Sequence, residues 1–379
     1  MDIYRELGVE PIINAAGTLT RMSGSLMPPE VVEAMVAASR AYVDMEELHL
    51  AAGRRIAEVV GAEAAHVCAC AAAGISLMAA ACMAGCDRAR IRQLPNTHGL
   101  HHLFVVQRAH RNGFDQALQL AGGRFIEVEA DADQLGRAAA GEGVAGVSFT
   151  QAWFCMGDSL PLPQVAELAH VAGVPLVVDA AAEVPPVDNL TRFLREGADL
   201  VTFSGGKAIC GPQSTGFILG RADLIEACRL NDCPNGGVGR PMKTGKEDII
   251  GLVKAIELYV QRDHAAEMRV WEERVAQIVV ALSAPEHVHA WRQMPFGIGQ
   301  QIPHVAVAWD EAALGITHEQ AMQRLRQGRP RIALQLVNAE RYGWGGYTTP
   351  ELRIHPHTLL PGEAESVVER LVEVMKQSA

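Results

Sequence analysis

The sequence predicts an α/β protein: a large domain built on a seven-stranded, mostly parallel sheet, followed by a smaller C-terminal α+β domain. Three observations lead there. Short apolar runs alternate with helical patterns through the first two-thirds of the chain, the mark of a parallel sheet covered by helices. A loop dense in glycine and proline, PNGGVGRP, ends that regime. Beyond it the pattern becomes one long helical stretch and then a few widely spaced strands.

Taken in order, PPEVVEAMVAASRAY from Pro28 and EELHLAAGRRIAEVV from Glu46 carry apolar residues at helical spacing, the second stopped by Gly61. Seven candidate strands follow: His66 to Cys70, Phe104 to Gln107, Arg124 to Glu129, Val144 to Phe149, Pro175 to Asp179, Asp199 to Phe203 and Gly216 to Leu219. The helical stretch from about Lys246 to Leu282 exceeds the usual helix length, which predicts a kink or two helices end to end. Strands at Val305 to Trp309, Arg331 to Leu334 and Leu352 to His355, with helices at 317–327 and 361–376, complete the small domain. The expected division is 1–245 and 246–379.

Composition narrows the function classes. The chain has 379 residues, 49% hydrophobic and 20% charged, which is globular rather than disordered. A net charge of −11 disfavours a protein whose task is to coat nucleic acid or an anionic membrane. Eight cysteines without framework spacing, and no apolar export signal at MDIYRELGVEPIIN, point to a reducing, cytoplasmic setting. The segment from Ala64 to Cys86 lacks Asp, Glu, Lys and Arg and is long enough to span a bilayer, but it is Ala, Gly and Cys without an aromatic belt; a buried strand running into a buried helix accounts for it better.

The chemistry concentrates in PLVVDAAAEVPP and ADLVTFSGGKAICGPQSTGFI. Asp179 ends one apolar strand and Lys207 follows the end of the next, so a carboxylate and an amine meet where open α/β sheets bind ligands. Small residues beside the lysine leave space for a bulky partner. Pyridoxal phosphate needs this pair, a lysine for the Schiff base and an acid that keeps the pyridine nitrogen protonated; a buried salt bridge is the plain alternative. Upstream, HVCACAAAGISLMAAACM reads as strand, tight turn and helix, whose first amides at Cys70, Ala71 and Ala72 could cradle a phosphate together with the Ser204 hydroxyl. His110, after the strand FVVQ, would stand above such a ring. His98, His101 and His102, like Cys68, Cys70, Cys82 and Cys86, lack metal-ligand spacing, and no metal is expected. For substrate groups the candidates are Asn14, Thr18 and Arg21 in the N-terminal loop, Arg353 at a strand end, where a guanidinium can hold a carboxylate bidentately, and Arg240 and Lys243, with Lys246 nearby, for a second anion.

Together these segments resemble the fold type I pyridoxal phosphate enzymes, and within them the selenocysteine synthase-like group of seryl-tRNA selenium transferases and D-glucosaminate-6-phosphate ammonia lyases. The matching strings are INAAGTL, the AAAG turn at 71–74, QRAHRNGFD, VVDAAAEVPP, FSGGKAICGPQSTGFI and GRPMKTGKEDIIGLVKAIELY. INAAGT begins at residue 13, without the preceding tRNA-binding segment of the selenium transferases, and SGSL stands where they carry NLGR. The ammonia lyase branch is therefore the nearer match. Cys70 stands where such phosphate turns commonly carry glycine.

The resemblance implies a pyridoxal phosphate-dependent lyase in which Lys207 removes the α-proton of a β-hydroxy amino acid, Asp179 holds the ring nitrogen protonated, and His110 or a water assists loss of the hydroxyl, giving a 2-keto acid and ammonia. Arg353 or the N-terminal loop would grip the α-carboxylate, and Arg240 with Lys243 a distal phosphate. It also implies a homodimer or higher homo-oligomer acting on a small molecule, with no nucleic-acid or membrane partner. Racemisation, aldol cleavage, seryl-tRNA selenium transfer and non-catalytic tRNA or cofactor binding are the competing outcomes.

Overall fold

The computed structural model describes residues 3–155, 157–295, 297–337 and 350–376. In chain order its strands are β1 (Ile13–Asn14), β2 (Ala64–Cys68), β3 (Leu103–Gln107), β4 (Arg124–Val128), β5 (Val144–Thr150), β6 (Leu176–Asp179), β7 (Leu200–Ser204), β8 (Gly216–Gly220), β9 (Val288–Gln293), β10 (His304–Trp309), β11 (Ile332–Ala333), β12 (Gln335–Val337) and β13 (Glu351–Ile354). They fall into two compact units, one of residues 25–262 with 297–300 and the other of residues 1–24, 263–296 and 301–379.

All seven strands expected for the first unit form its sheet, in the order β2-β8-β7-β6-β5-β3-β4. β8 runs antiparallel to both neighbours and the remaining pairs are parallel. The carboxyl ends of β2, β3, β5, β6 and β7 therefore share one edge. The central strands are apolar on both faces, as helices on both sides require, and Val178, Phe203 and Phe217 are fully buried. The helix Ala71–Ala84 buries eleven of its fourteen residues, which its all-round apolar sequence demands. The apolar segment from Ala64 is thus strand β2 running into a buried helix, and no described helix is long and apolar enough to cross a membrane.

The boundary between units lies elsewhere than the expected 245/246. The long helical stretch is two helices, Lys246–Gln261 and His264–Leu282, and the break falls where the Asp263 carboxylate caps the second by accepting from the Ala266 amide at 2.8 Å. Ile249, Leu252, Ala255, Ile256 and Tyr259 of the first helix belong to the core of the large unit. Val275, Ile278 and Leu282 of the second belong to that of the small one. The N-terminal residues also join the small unit, because β1 pairs in parallel with β11 and Ala15 is fully buried in its core.

In the small unit β12-β13-β10-β9 form an antiparallel sheet. β10 and β13 were legible as strands, and the expected strand Arg331 to Leu334 contains β11, which pairs with β1; β12 and β9 were not expected, the latter because VHAWRQ buries only Ala290 and offers no apolar alternation. His304, the first residue of β10, stacks on His355, ring centroids 4.9 Å apart, and His357 meets His355 edge-on. Burial depresses the basicity of all three rings, His304 and His357 to about 4 and His355 well below its ordinary value. Since the folded rings bind protons less readily than the unfolded ones, stability is complete above pH 6.5 and falls as pH drops towards 4. Each ring withdraws on the order of 1 kcal/mol per pH unit. Calorimetry should show the melting temperature falling steeply below pH 6.5; a flat profile between pH 7 and 5 would contradict the assignment.

Candidate active site

The shared strand edge collects the residues singled out for the cofactor. Asp179 closes β6, and its neighbours there are Thr150 of β5 and Thr202 of β7. The Ala180 amide donates to the Thr202 carbonyl at 3.0 Å and the Gln151 amide to the Asp179 carbonyl at 2.8 Å, so pairing persists to the last residue. The Asp179 carboxylate accepts from the Ala181 amide at 3.0 Å. Burial raises its pKa, offset by that hydrogen bond and by the charge of Lys207. Lys207 follows β7 after Ser204-Gly205-Gly206; burial lowers the pKa of its amine, opposed by Asp179 and Glu183. The glycines before it do not hold room for a partner, as the sequence suggested. A Cβ on Gly205 would overlap the Thr215 hydroxyl, and one on Gly206 would lie 2.5 Å from the Gln213 Cα.

β2 reaches the same edge through β8. Gly216 pairs with both Cys68 and Ser204, so the strand that leads into the Ala71–Ala84 helix and the strand that ends in Ser204 flank the same residue. Cys70 caps that helix with its sulfur, which accepts from the Ala73 amide at 3.4 Å. The Ala71 and Ala72 amides have no protein acceptor among the described residues and are the donors a phosphate would take. A Cβ on Gly216 would lie 2.5 Å from the Cys70 carbonyl carbon and 2.7 Å from the Ala71 nitrogen. Gly216→Ala should therefore shift the turn, cost about 1–3 kcal/mol and weaken phosphate binding, read as melting temperature and as inorganic phosphate affinity. Unchanged values would remove this turn from the site.

His110 lies in the 3-10 turn Arg108–His110 after β3. Its ring is buried and packs edge-on against Phe149 of β5, centroids 4.2 Å apart, and Nδ1 has no partner among the described residues. Burial lowers its pKa to about 4, so at pH 7 the ring is neutral and ill-suited to act as an acid. Between the ends of β5 and β6 lies a cavity of about 20 Å³ lined by Asn112, Asp115, Ser148, Thr150 and Asp179, large enough for a single water.

The residues chosen for substrate divide. Arg240 and Lys243 are exposed in the large unit, the Arg240 guanidinium 3.7 Å from the Cys233 sulfur. Lys246 is committed elsewhere, donating to the Ala38 carbonyl at 2.9 Å and paired with Glu247. Asn14, Thr18, Arg21 and Arg353 belong to the small unit. Asn14 stabilises its own loop, donating to the Gly17 carbonyl and accepting from the Ala16 amide, while Thr18 is half-buried and Arg21 exposed. Arg353, expected to hold a carboxylate, already holds that of Glu351 at 2.8 Å, and both residues are buried. Sequence reasoning passed over Glu183, Asn112 and the 297–300 segment; an acid between alanines and Val-Pro-Pro was the available signal for Glu183.

The donor set fits pyridoxal phosphate. Asp179 is a crowded carboxylate short of positive charge, which a protonated ring nitrogen would supply, and the Ala71 and Ala72 amides await an anion. Comparisons with known proteins agree. The model of the L-seryl-tRNA selenium transferase (SelA) family matches residues 157–278. D-glucosaminate-6-phosphate ammonia lyase of Salmonella typhimurium is 31% identical over 100% of this chain and 99% of its own. A solved structure of D-glucosaminate-6-phosphate ammonia-lyase superposes with a TM-score of 0.85, at 30% identity, over 100% of this chain and 99% of the other. The chain belongs to the selenocysteine synthase-like family of fold type I pyridoxal phosphate enzymes.

Another member at comparable distance, 5'-C-glycyluridine monooxygenase-decarboxylase of a Streptomyces species, is 34% identical over 98% of this chain and 92% of its own. A structure of SPT with pyridoxal phosphate, 12% identical, shares the fold with a TM-score of 0.61 over 97% of this chain and 88% of the other. The family member described here is an enzyme.

Proposed function

We propose that this enzyme is a pyridoxal phosphate-dependent lyase that eliminates water and ammonia from a β-hydroxy amino acid bearing a distal anion, of the D-glucosaminate 6-phosphate class, to give a 2-keto acid. The observation that carries the reading is the placing of Asp179 and Lys207 at adjacent strand ends in a chain alike over its whole length to an enzyme of that name. Bound pyridoxal phosphate would supply the electron sink for the α-carbon.

The chain's own residues do the rest. Lys207, the anchoring amine, has its pKa lowered by burial and so serves as a base once released, taking the α-proton at Nζ. Asp179 holds the proton on the ring nitrogen. The Ala71 and Ala72 amides and the Ser204 hydroxyl hold the phosphate, and the neutral His110 ring orients rather than donates. Arg240 and Lys243, both exposed in the large unit, attract the distal anion, and the enzyme acts as a homo-oligomer.

The test is incubation of the pure protein, with pyridoxal phosphate, with D- and L-β-hydroxy amino acids, phosphorylated and not. Release of ammonia and keto acid in equal amounts supports the reading; racemised or cleaved substrate without ammonia would replace it. The likeness to a monooxygenase-decarboxylase favours one second reading, for which oxygen uptake and carbon dioxide release are the readouts.

A further inference from the structure

At the root of the loop that carries Arg240 and Lys243 the fold buries a hydrogen-bonded ion pair that the chemistry above does not use. The helix Ala222–Asn231 is followed by Asp232, and Asn231 and Asp232 are both buried. His66, in the middle of β2, is buried too, and its Nε2 stands 2.8 Å from Asp232 Oδ2. An ionised carboxylate only accepts, so the ring nitrogen is the donor. The other oxygen, Oδ1, accepts from the Cys233 amide at 2.7 Å, which engages both oxygens. The buried His49 ring stacks on that of His66, centroids 5.1 Å apart.

The loop winds on Asn231 and Asp232. The Asn235 amide donates to the Asp232 carbonyl and the Gly239 amide to the Asn231 carbonyl, each at 2.9 Å, and Asp232 and Gly239 form a parallel bridge. The fit is tight: a Cβ on Gly237 would lie 2.6 Å from the Asn231 carbonyl oxygen, and one on Gly239 2.8 Å from the same atom. Arg240 follows directly, its amide donating to the Gly237 carbonyl at 3.0 Å. A well-packed apolar pair would serve the core at least as well as a buried His and Asp. What a carboxylate gripping both a strand and the first amide of the loop adds is a single arrangement for the loop.

We propose that His66 and Asp232 are positioning residues that hold the 232–243 loop so that Arg240 and Lys243 meet the distal anion of the substrate, and that they thereby set a preference for a phosphorylated amino acid. β2 then serves the site twice, since it ends two residues after His66, at Cys68, and leads into the turn at Cys70 to Ala72. This role rests on Arg240 and Lys243 being the groups that attract the distal anion.

The test uses the full-length chain loaded with pyridoxal phosphate, with inorganic phosphate as the probe of the second anion site, titrated by calorimetry. His66→Phe keeps a stacked ring but no donor, and should weaken phosphate binding about tenfold. His66→Gln, which returns an N–H to the carboxylate, should restore most of the difference. Trypsin cleavage after the exposed Lys243 should quicken about tenfold in His66→Phe, with cleavage elsewhere unchanged. Arg240→Ala separates the two claims. Phosphate affinity lost in Arg240→Ala but kept in His66→Phe overturns the role of the pair alone, whereas affinity indifferent to Arg240→Ala overturns the anion reading and the proposal with it. Weaker binding without faster cleavage, or a Gln variant that behaves like the Phe variant, would also overturn the proposal. Should His66→Phe fail to fold, the double variant His66→Phe with Asp232→Asn leaves no unpaired buried charge, keeps an acceptor for the Cys233 amide and decides by the same readings.

Discussion

Lys207→Ala is expected to lower ammonia release by on the order of 10⁴-fold while leaving the fold intact. The size follows from two losses at one atom, the anchor for the cofactor and the base for the α-proton. The fold tolerates the change because burial already works against the Lys207 cation, so its removal relieves as much as it costs. Two readouts separate chemistry from damage: a melting temperature within a few degrees of the unaltered protein, and partial recovery of ammonia release on adding a small primary amine, which replaces the base but not the tether. Loss of less than tenfold would mean that another residue takes the proton.

Asp179→Asn should reduce kcat by about 10²–10³-fold with KM little changed, because Asn keeps the shape of the carboxyl but cannot hold a ring nitrogen protonated. The loss belongs to the transition state, where charge reaches the ring, rather than to binding. The same substitution removes the stronger of the two negative charges that raise the Lys207 pKa, so the amine should become a weaker base still. Acetylation of Lys207 at neutral pH should therefore increase in the variant, a change visible without turnover. A variant retaining a tenth of the activity or more would show that Asp179 only supports the strand end.

The fold and the pair at its centre were legible for the same reason. A strand buried on both faces must be apolar from end to end, so VVD and VTF announce themselves, and whatever polar residue terminates each is delivered to the shared edge. The helix start after Cys68 was readable through its small residues. What failed to show was set by contacts distant in sequence. Gly205 and Gly206 are glycine because Thr215 and Gln213 press on them, which no local pattern encodes. The boundary between units depends on which core receives each half of the stretch from Lys246 to Leu282, and both halves have the same helical period. Glu183 was hidden by its setting, since an acid before Val-Pro-Pro resembles a solvated loop until the 297–300 segment is seen to bury it. Arg353 was read as a carboxylate-binding group at a strand end, and its commitment to Glu351 was hidden because the burial of both arises from the antiparallel sheet of the small unit.

The central claim is that the amine at 207 carries the cofactor with the carboxylate at 179 beside it. Borohydride reduction of the pyridoxal phosphate-loaded protein, followed by peptide mass mapping, tests it most directly. The account predicts loss of the visible colour and a single phosphopyridoxyl adduct on Lys207, absent when the same treatment is applied to Lys207→Ala. An adduct on another lysine, or a loaded protein that never acquires colour, would contradict it.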